Sequence, residues 1–214
     1  MVQKLKEYPN CQFNYENAIS PAFIKTELPC KGISLNIENA YRNSSRTLSN
    51  YNIDNECLLN ILHLSYGFID NKTRTIPSAG SYYPLKIFAL KIVEDGLIIK
   101  VLEYIPELNL LKELDIKSEN TYLSDILDVY HVDFKSVQWA ILWTAKIFPI
   151  SSKYGVKGLH FISIEIGHSA QMAILKCIQE NIKHITIGGL KEDQIIKRIL
   201  RQGRKFLPQY ILLI

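Results

Sequence analysis

The sequence predicts an α+β fold, a mostly antiparallel central sheet flanked by helices, on three observations. Two alternating apolar runs, PLKIFALKI and LIIKVLEYI, stand either side of Val93, Glu94, Asp95 and Gly96, and an Asp-Gly pair between such runs signals a β-hairpin. Apolar residues recur at helical spacing in three other stretches, 53–69, 159–182 and 191–202. Short apolar runs rich in aromatic and branched residues, VQWAILWTAKIF and QYILLI, separate or follow them and read as strands. Elements mixed in this way pack as helices layered on a sheet.

Taken in order, residues 1–40 show little helical periodicity and read as an N-terminal arm, with ISLNI forming a short strand, ahead of a single domain over 41–214. Between Ile53 and Ile69 the set Ile53, Leu58, Leu59, Ile61, Leu62, Tyr66 and Ile69 makes an apolar helix face, with Asp54 as its N-cap and Gly67 near its end. The hairpin follows. Leu108 to Asn120 is amphipathic and polar-rich, TYLSDILDVYH reads as a short helix, and VQWAILWTAKIF as a buried strand. LHFISIEIGHSAQMAILKCIQENI is long enough for about seven helical turns and reads as a central helix. KHITIGGL gives a strand and a turn, KEDQIIKRILRQ an amphipathic helix, and QYILLI a terminal strand.

Composition sets the class. The chain has 214 residues, of which 47% are apolar and 21% charged, a globular balance that builds one sizeable core. No apolar run approaches the roughly 20 residues that span a bilayer, and the N-terminal segment lacks the apolar region of a signal peptide, so a cytoplasmic protein is expected. Cys11, Cys30, Cys57 and Cys177 have no zinc-site spacing and read as reduced thiols, two of them core filler. His63, His131, His160 and His184 likewise show no ligand pattern, and no metal is expected. The net charge is +4, and the basic cluster Lys197, Arg198, Arg201, Arg204 and Lys205 reads as a solvated helix face, because no interleaved aromatics mark a nucleic-acid groove.

Four short motifs carry chemistry. In RTIPSAGSYYPL the small residues Ser78, Ala79 and Gly80 expose backbone between Pro77 and Pro84, which fix the course of the loop, so a flat ligand can lie there. The same residues also serve as a plain turn before a strand. Arg42, Ser44 and Arg46 place two guanidinium forks and a hydroxyl within five residues, a set that can converge on phosphate oxygens; on their own they read as surface arginines ahead of a helix. Gly188 and Gly189 follow a strand and precede a helix, which allows either a tight turn or close approach to a ligand. Lys153 and Tyr154 are adjacent; on their own they read as a surface lysine beside a half-buried tyrosine.

In their order along the chain, FIKTELPCKGISL, RNSSR, PSAGSYYPL, SKYGVKGLHF, GHSAQ, IGGL and PQYILLI resemble the nitroreductase superfamily, and within it the SagB-type azoline dehydrogenases, from Phe23 to Ile214. The resemblance implies a nitroreductase-like, FMN-dependent fold that is dimeric. It implies phosphate binding by Arg42, Ser44 and Arg46, ring contacts from Pro77, Ser78, Ala79, Gly80, Gly188 and Gly189, and a site role for Gln171, with His168 beside it at the site or the dimer seam. Lys153 and Tyr154 separate this branch from ordinary nitroreductases and are implied to be catalytic. An unperturbed phenol has a pKa of about 10, so a cation that stabilises the phenolate makes it a better base near neutrality. The two side chains cooperate best if Ser151 to Gly158 is irregular, as its glycines suggest.

Met172 stands where the family usually has Asn, and Lys157 and Leu159 replace its usual later residues in KYGxRxYR. The implied activity is oxidation of thiazoline or oxazoline rings to azoles on a ribosomally made precursor peptide, by a homodimer that acts after, and in possible complex with, a cyclodehydratase, without nucleic acid or membrane. Two alternatives stay open: a nicotinamide-dependent reductase of small acceptors, and a non-catalytic scaffold subunit.

Overall fold

Seven strands form one sheet, described by a computed structural model over residues 23–25, 41–48, 52–70, 72–114, 120–200 and 206–214. In chain order they are β1 (Phe23–Lys25), β2 (Leu85–Val93), β3 (Leu97–Ile105), β4 (Leu110–Leu114), β5 (Trp139–Ala145), β6 (Ile185–Ile187) and β7 (Leu207–Leu213). Across the sheet the order is β1-β4-β3-β2-β5-β7-β6, and every neighbouring pair is antiparallel. The α+β class is as the sequence predicts.

The centre of the sheet explains itself from residue alternation. All seven residues of β5 are buried. Trp139, Ile141, Trp143 and Ala145 join one apolar cluster and Ala140 and Leu142 the other, so a strand covered on both faces reads as an apolar run broken only by Thr144. On its β2 neighbour Ile87 and Ala89 enter the first cluster while Phe88 and Leu90 enter the second. The hairpin forms where expected: Asp95 and Gly96 adopt φ of 54° and 89°, the left-handed region a tight turn between such strands needs.

Two helices cover the first face. The helix α1 (Asn55–Tyr66) starts at Asp54, whose carboxylate accepts a 2.8 Å bond from the Cys57 amide, and Gly67 ends it. The longest helix, α4 (Lys157–Gln179), turns Ile162, Ile166, Ala170, Ala173, Ile174 and Cys177 toward α1 and the sheet. Ser169 ties three elements together: its hydroxyl accepts from the Trp143 indole at 2.7 Å and lies 2.7 Å from the Ser65 hydroxyl. The opposite face is covered by α2 (Leu123–Ile126), α5 (Glu192–Ile195) and the π-helical turn Ile196–Leu200, which bury Leu123, Ile126, Ile195, Ile199 and Leu200.

Several sequence expectations change. Leu110–Leu114, within the polar-rich stretch, is a strand, and Phe23–Lys25 pairs with it antiparallel. The short helix expected over TYLSDILDVYH is only the one turn of α2, and the amphipathic helix after Gly189 is one α turn running into a π turn. Ser151 to Gly158 is broken at Gly155, with φ 58° and ψ −139°, as its glycines suggest, but Lys153 and Tyr154 themselves lie in the regular last turn of helix α3 (Ile147–Tyr154). The rest of the N-terminal arm, including ISLNI, and Arg201, Arg204 and Lys205 of the basic cluster lie outside the described residues. Cys57 and Cys177 are free thiols, the second buried in the core; Cys11 and Cys30 lie outside the described residues.

Candidate functional site

The PSAG loop enters from a turn and leaves into β2, and a buried carboxylic acid lies beneath it. Ser78 is extended, Ala79–Ser81 forms a single 3-10 turn, and Gly80 has φ 62° and ψ 20°. The Ser78 hydroxyl accepts from the Tyr83 amide at 2.9 Å, which closes the loop across its own width. Tyr66 accepts from the Leu85 amide at 3.2 Å and donates to Glu165 Oε1 at 2.8 Å. Glu165 is 1% exposed, and burial raises its carboxyl above the usual carboxylate range, although Ser78, Tyr66 and Arg74 oppose that rise. Its second oxygen, Oε2, has no hydrogen-bond partner of good geometry among the described residues. The Arg74 guanidinium lies 4.2 Å from the Phe68 ring centroid, 4.8 Å from Tyr83 and 5.0 Å from Tyr66, and pairs with Glu107 at 2.9 Å.

Lys153 and Tyr154 meet this loop at Gly80. A β-carbon there would come within 3.3 Å of Lys153 Nζ and closer still to the Tyr154 phenol. The lysine ammonium sits 5.2 Å from the Tyr154 ring centroid, and Phe161 of α4 packs edge-on against the same tyrosine at 5.1 Å. A full residue at position 80 is disfavoured twice, by its left-handed φ and by this contact. Two motifs separated by more than seventy residues are thus in contact.

The arginine triplet lies elsewhere. Ser44 bridges to His184 beside β6 and the Ser45 amide donates to the His184 carbonyl at 2.9 Å, so residues 42–46 run along that edge of the sheet. Arg42 donates to the Ser44 hydroxyl at 2.7 Å, and Arg46 to the Tyr130 carbonyl at 3.3 Å. No carboxylate pairs with either arginine among the described residues. Burial pushes His184 below its usual pKa, and the Arg42 charge adds to that. The two exposed guanidinium groups and the hydroxyl between them are a donor set that fits a phosphate dianion.

Gly188 and Gly189 continue from β6. Gly189 is held by its own chain: the Asp128 amide donates to its carbonyl at 2.8 Å, and a β-carbon on it would stand 2.6 Å from the Asp128 carbonyl oxygen. Gly188 is open, its nearest side chain being Tyr210. Tyr210, Gln209 and α4 residues including Ser163 and the exposed Gln171 line a groove of about 310 Å3, so Gly188 neighbours one of the residues that line it. His168, also on α4, is exposed.

The predicted site residues therefore form two groups in one chain. Pro77 to Gly80 with Lys153 and Tyr154 lie near the N-terminus of α4; Arg42, Ser44 and Arg46 lie beside His184, five residues beyond its C-terminus, and Gly188, Gly189 and Gln171 lie apart from both sets. A helix of 23 residues is roughly 34 Å long. Sequence reasoning did not assign Glu165, whose only signal was a lone carboxylate inside the apolar run ISIEIG, or Tyr82. Among the described residues no His, Cys, Asp and Glu group fits a metal, and no helix is long and apolar enough to cross a membrane.

Comparison with known proteins places this geometry in a structural class. The chain has the nitroreductase-like α+β fold: it superposes with a TM-score of 0.64 on a Ralstonia eutropha protein described as a nitroreductase, at 16% identity, over 80% of this chain and 77% of that one. It matches equally, with a TM-score of 0.64 and 18% identity over 99% of this chain and 83% of the other, a chain of the E. coli microcin synthetase McbBCD complex solved with truncated pro-MccB17 bound. In sequence it is 28% identical over 144 residues, 64% of this chain and 70% of the relative, to a Methanocaldococcus jannaschii protein that carries the nitroreductase name. No protein-family model matches the chain.

Proposed function

We propose that this chain is an oxidoreductase of the nitroreductase superfamily, an FMN-dependent dehydrogenase of the SagB type that oxidises thiazoline or oxazoline rings to azoles on a ribosomally synthesised precursor peptide. The observation that carries the reading is the meeting of Lys153 and Tyr154 with the loop at Gly80. Loss of two hydrogens from an azoline sends a proton from one ring carbon to a base and a hydride from its neighbour to an acceptor. FMN supplies that acceptor when bound, and dioxygen regenerates it. The Tyr154 phenolate takes the proton, the Lys153 ammonium stabilises the phenolate, and the backbone of Pro77, Ser78, Ala79 and Gly80 offers a low-bulk wall for a flat ring. Arg42, Ser44 and Arg46 hold the phosphate, while Gly188, Gly189 and Gln171 line the approach to it. Gly189 also serves its own turn, which its packing on Asp128 requires.

Two groups at opposite ends of a helix of roughly 34 Å lie too far apart for one mononucleotide. A homodimer resolves this. Between His160 and Gln171 the exposed positions of α4 are His160, Ser163, Ile164, Gly167, His168 and Gln171, with no carboxylate, lysine or arginine among them. Nothing lies within 4 Å of a β-carbon placed on Gly167, so another helix can approach closely there. Twofold antiparallel pairing of α4 with its copy brings the Lys153 end of one chain to the arginine end of the other. The likeness to a chain of a peptide-processing synthetase complex supports a precursor peptide as substrate and a cyclodehydratase as neighbour.

The test uses a thiazoline-bearing peptide and purified protein loaded with FMN. Azole formation that is lost in Tyr154→Phe while the flavin absorption bands remain supports the reading; azole formation unchanged in Tyr154→Phe removes the assigned base. Nicotinamide-dependent reduction of a nitroaromatic without any azole formation would favour a small-acceptor reductase instead.

A further inference from the structure

Two aromatic rings contact Tyr154. Phe161 packs against it from α4, and Tyr82 meets it edge to face, with centroids 6.5 Å apart and planes at 81°. Tyr82 is 38% exposed, so part of its ring faces solvent. The backbone aims it there: Ser81 and Tyr83 have φ of 57° and 46°, while Tyr82 between them stays right-handed at −75°. The ammonium of Lys153 lies 5.5 Å from the Tyr82 centroid and 5.2 Å from that of Tyr154, both inside the roughly 6 Å range of cation–π attraction. No ion pair holds this lysine among the described residues. A lysine head on a flexible four-carbon stem has little else to fix it.

We infer that Tyr82 is a positioning residue, whose ring, together with that of Tyr154, holds the Lys153 ammonium over the phenol and so fixes where the positive charge of the base assembly stands. The inference deepens the reading of Lys153 and Tyr154 as the base pair and rests on it. It also gives the outward-facing ring a part in the site: as the exposed wall beside Gly80, Tyr82 borders the space through which an azoline ring approaches.

The test reads the lysine directly. Reductive methylation with carbon-13 labels every lysine, and the Lys153 signal is the one missing from Lys153→Arg. Between two aromatic faces it resonates upfield of the bulk lysines. In Tyr82→Leu it moves to the bulk position, and in Tyr82→Phe, which keeps the ring, it stays upfield; Tyr82 is partly exposed, and an unchanged melting temperature verifies that the leucine variant is folded.

Turnover of a thiazoline-bearing peptide by the FMN-loaded Tyr82→Leu variant falls about threefold to fivefold in kcat, the size of one cation–π contact at a partly exposed site, with KM changed less. An unmoved signal in Tyr82→Leu overturns the inference, as does a loss confined to KM. If the wild-type protein forms no azole yet the signal still moves in Tyr82→Leu, the hold on Lys153 stands and the base reading falls.

Discussion

A β-carbon added to Gly80 would stand 2.7 Å from the phenol oxygen of Tyr154. The phenol is the free end of a side chain, so it swings away instead of unfolding the loop. Gly80→Ala is therefore expected to cost about 1–2 kcal/mol of stability for a left-handed residue. Azole formation is expected to fall more, by roughly tenfold to a hundredfold, because a displaced base loses its alignment. Urea denaturation and turnover of a thiazoline peptide measure the two effects. Full activity in a variant that has lost stability would separate Gly80 from the chemistry.

The arginine triplet predicts a phosphate-specific loss. Hydrogen bonds to charged groups contribute about 1.5–3 kcal/mol each, so Arg42→Ala or Arg46→Ala should weaken FMN binding by roughly tenfold to a hundredfold. Riboflavin, which lacks the phosphate, should bind the variants and the parent alike. Fluorescence titration with both ligands checks this, and an equal loss for riboflavin would move the phosphate site elsewhere.

Much of this fold could be read from residue patterns because its central elements carry strong ones. β5 is buried throughout and apolar everywhere but Thr144, and α4 keeps one apolar face over six turns, so neither competes with another reading. β4 escaped notice because only Leu110 and Leu111 of its five residues are buried, too few to show a period of two. The π turn after α5 escaped because its apolar residues suit a regular helix equally well. At the site, the residues of PSAG and Lys153-Tyr154 were legible as motifs, but their contact at Gly80 was not, since local sequence carries no distance between segments so far apart. Glu165 was illegible for another reason. A single carboxylate on a long helix ordinarily faces water, and only the fold shows it turned inward onto Tyr66.

Ser169 should prove a stability residue, not a functional one. Its hydroxyl serves the Trp143 indole and the Ser65 hydroxyl, and all three residues are fully buried. Ser169→Ala leaves the indole N–H without a partner in a dry core, a loss of about 1–3 kcal/mol. The variant should melt at lower temperature while retaining FMN affinity, as measured by thermal unfolding and titration side by side. A stability equal to the parent's would mean that water reaches the indole.

Glu165 gives the loop a pH dependence whose sign follows from its surroundings. Burial raises its carboxyl in the folded state, against the smaller opposing effects of the Ser78 and Tyr66 hydroxyls and the Arg74 charge. In the unfolded chain a glutamate titrates near pH 4.3, about the model-peptide value. Between that pH and the higher folded value the native state binds more protons than the unfolded one, so its stability falls as pH rises. The stabilising contribution of the protonated acid is thus complete below the unfolded value and gone above the folded one. Glu165→Gln keeps the shape and both hydrogen-bonding atoms but cannot ionise. Urea denaturation at a series of pH values from 4 to 8 should show the glutamine variant gaining on the parent as pH rises, with the difference levelling off once the parent's carboxyl has ionised. Hydrogen exchange at the Tyr83 and Leu85 amides, which Ser78 and Tyr66 hold, should slow in the variant relative to the parent over the same range. A stability difference independent of pH would mean that Glu165 is already ionised in the fold, with its charge met by Arg74.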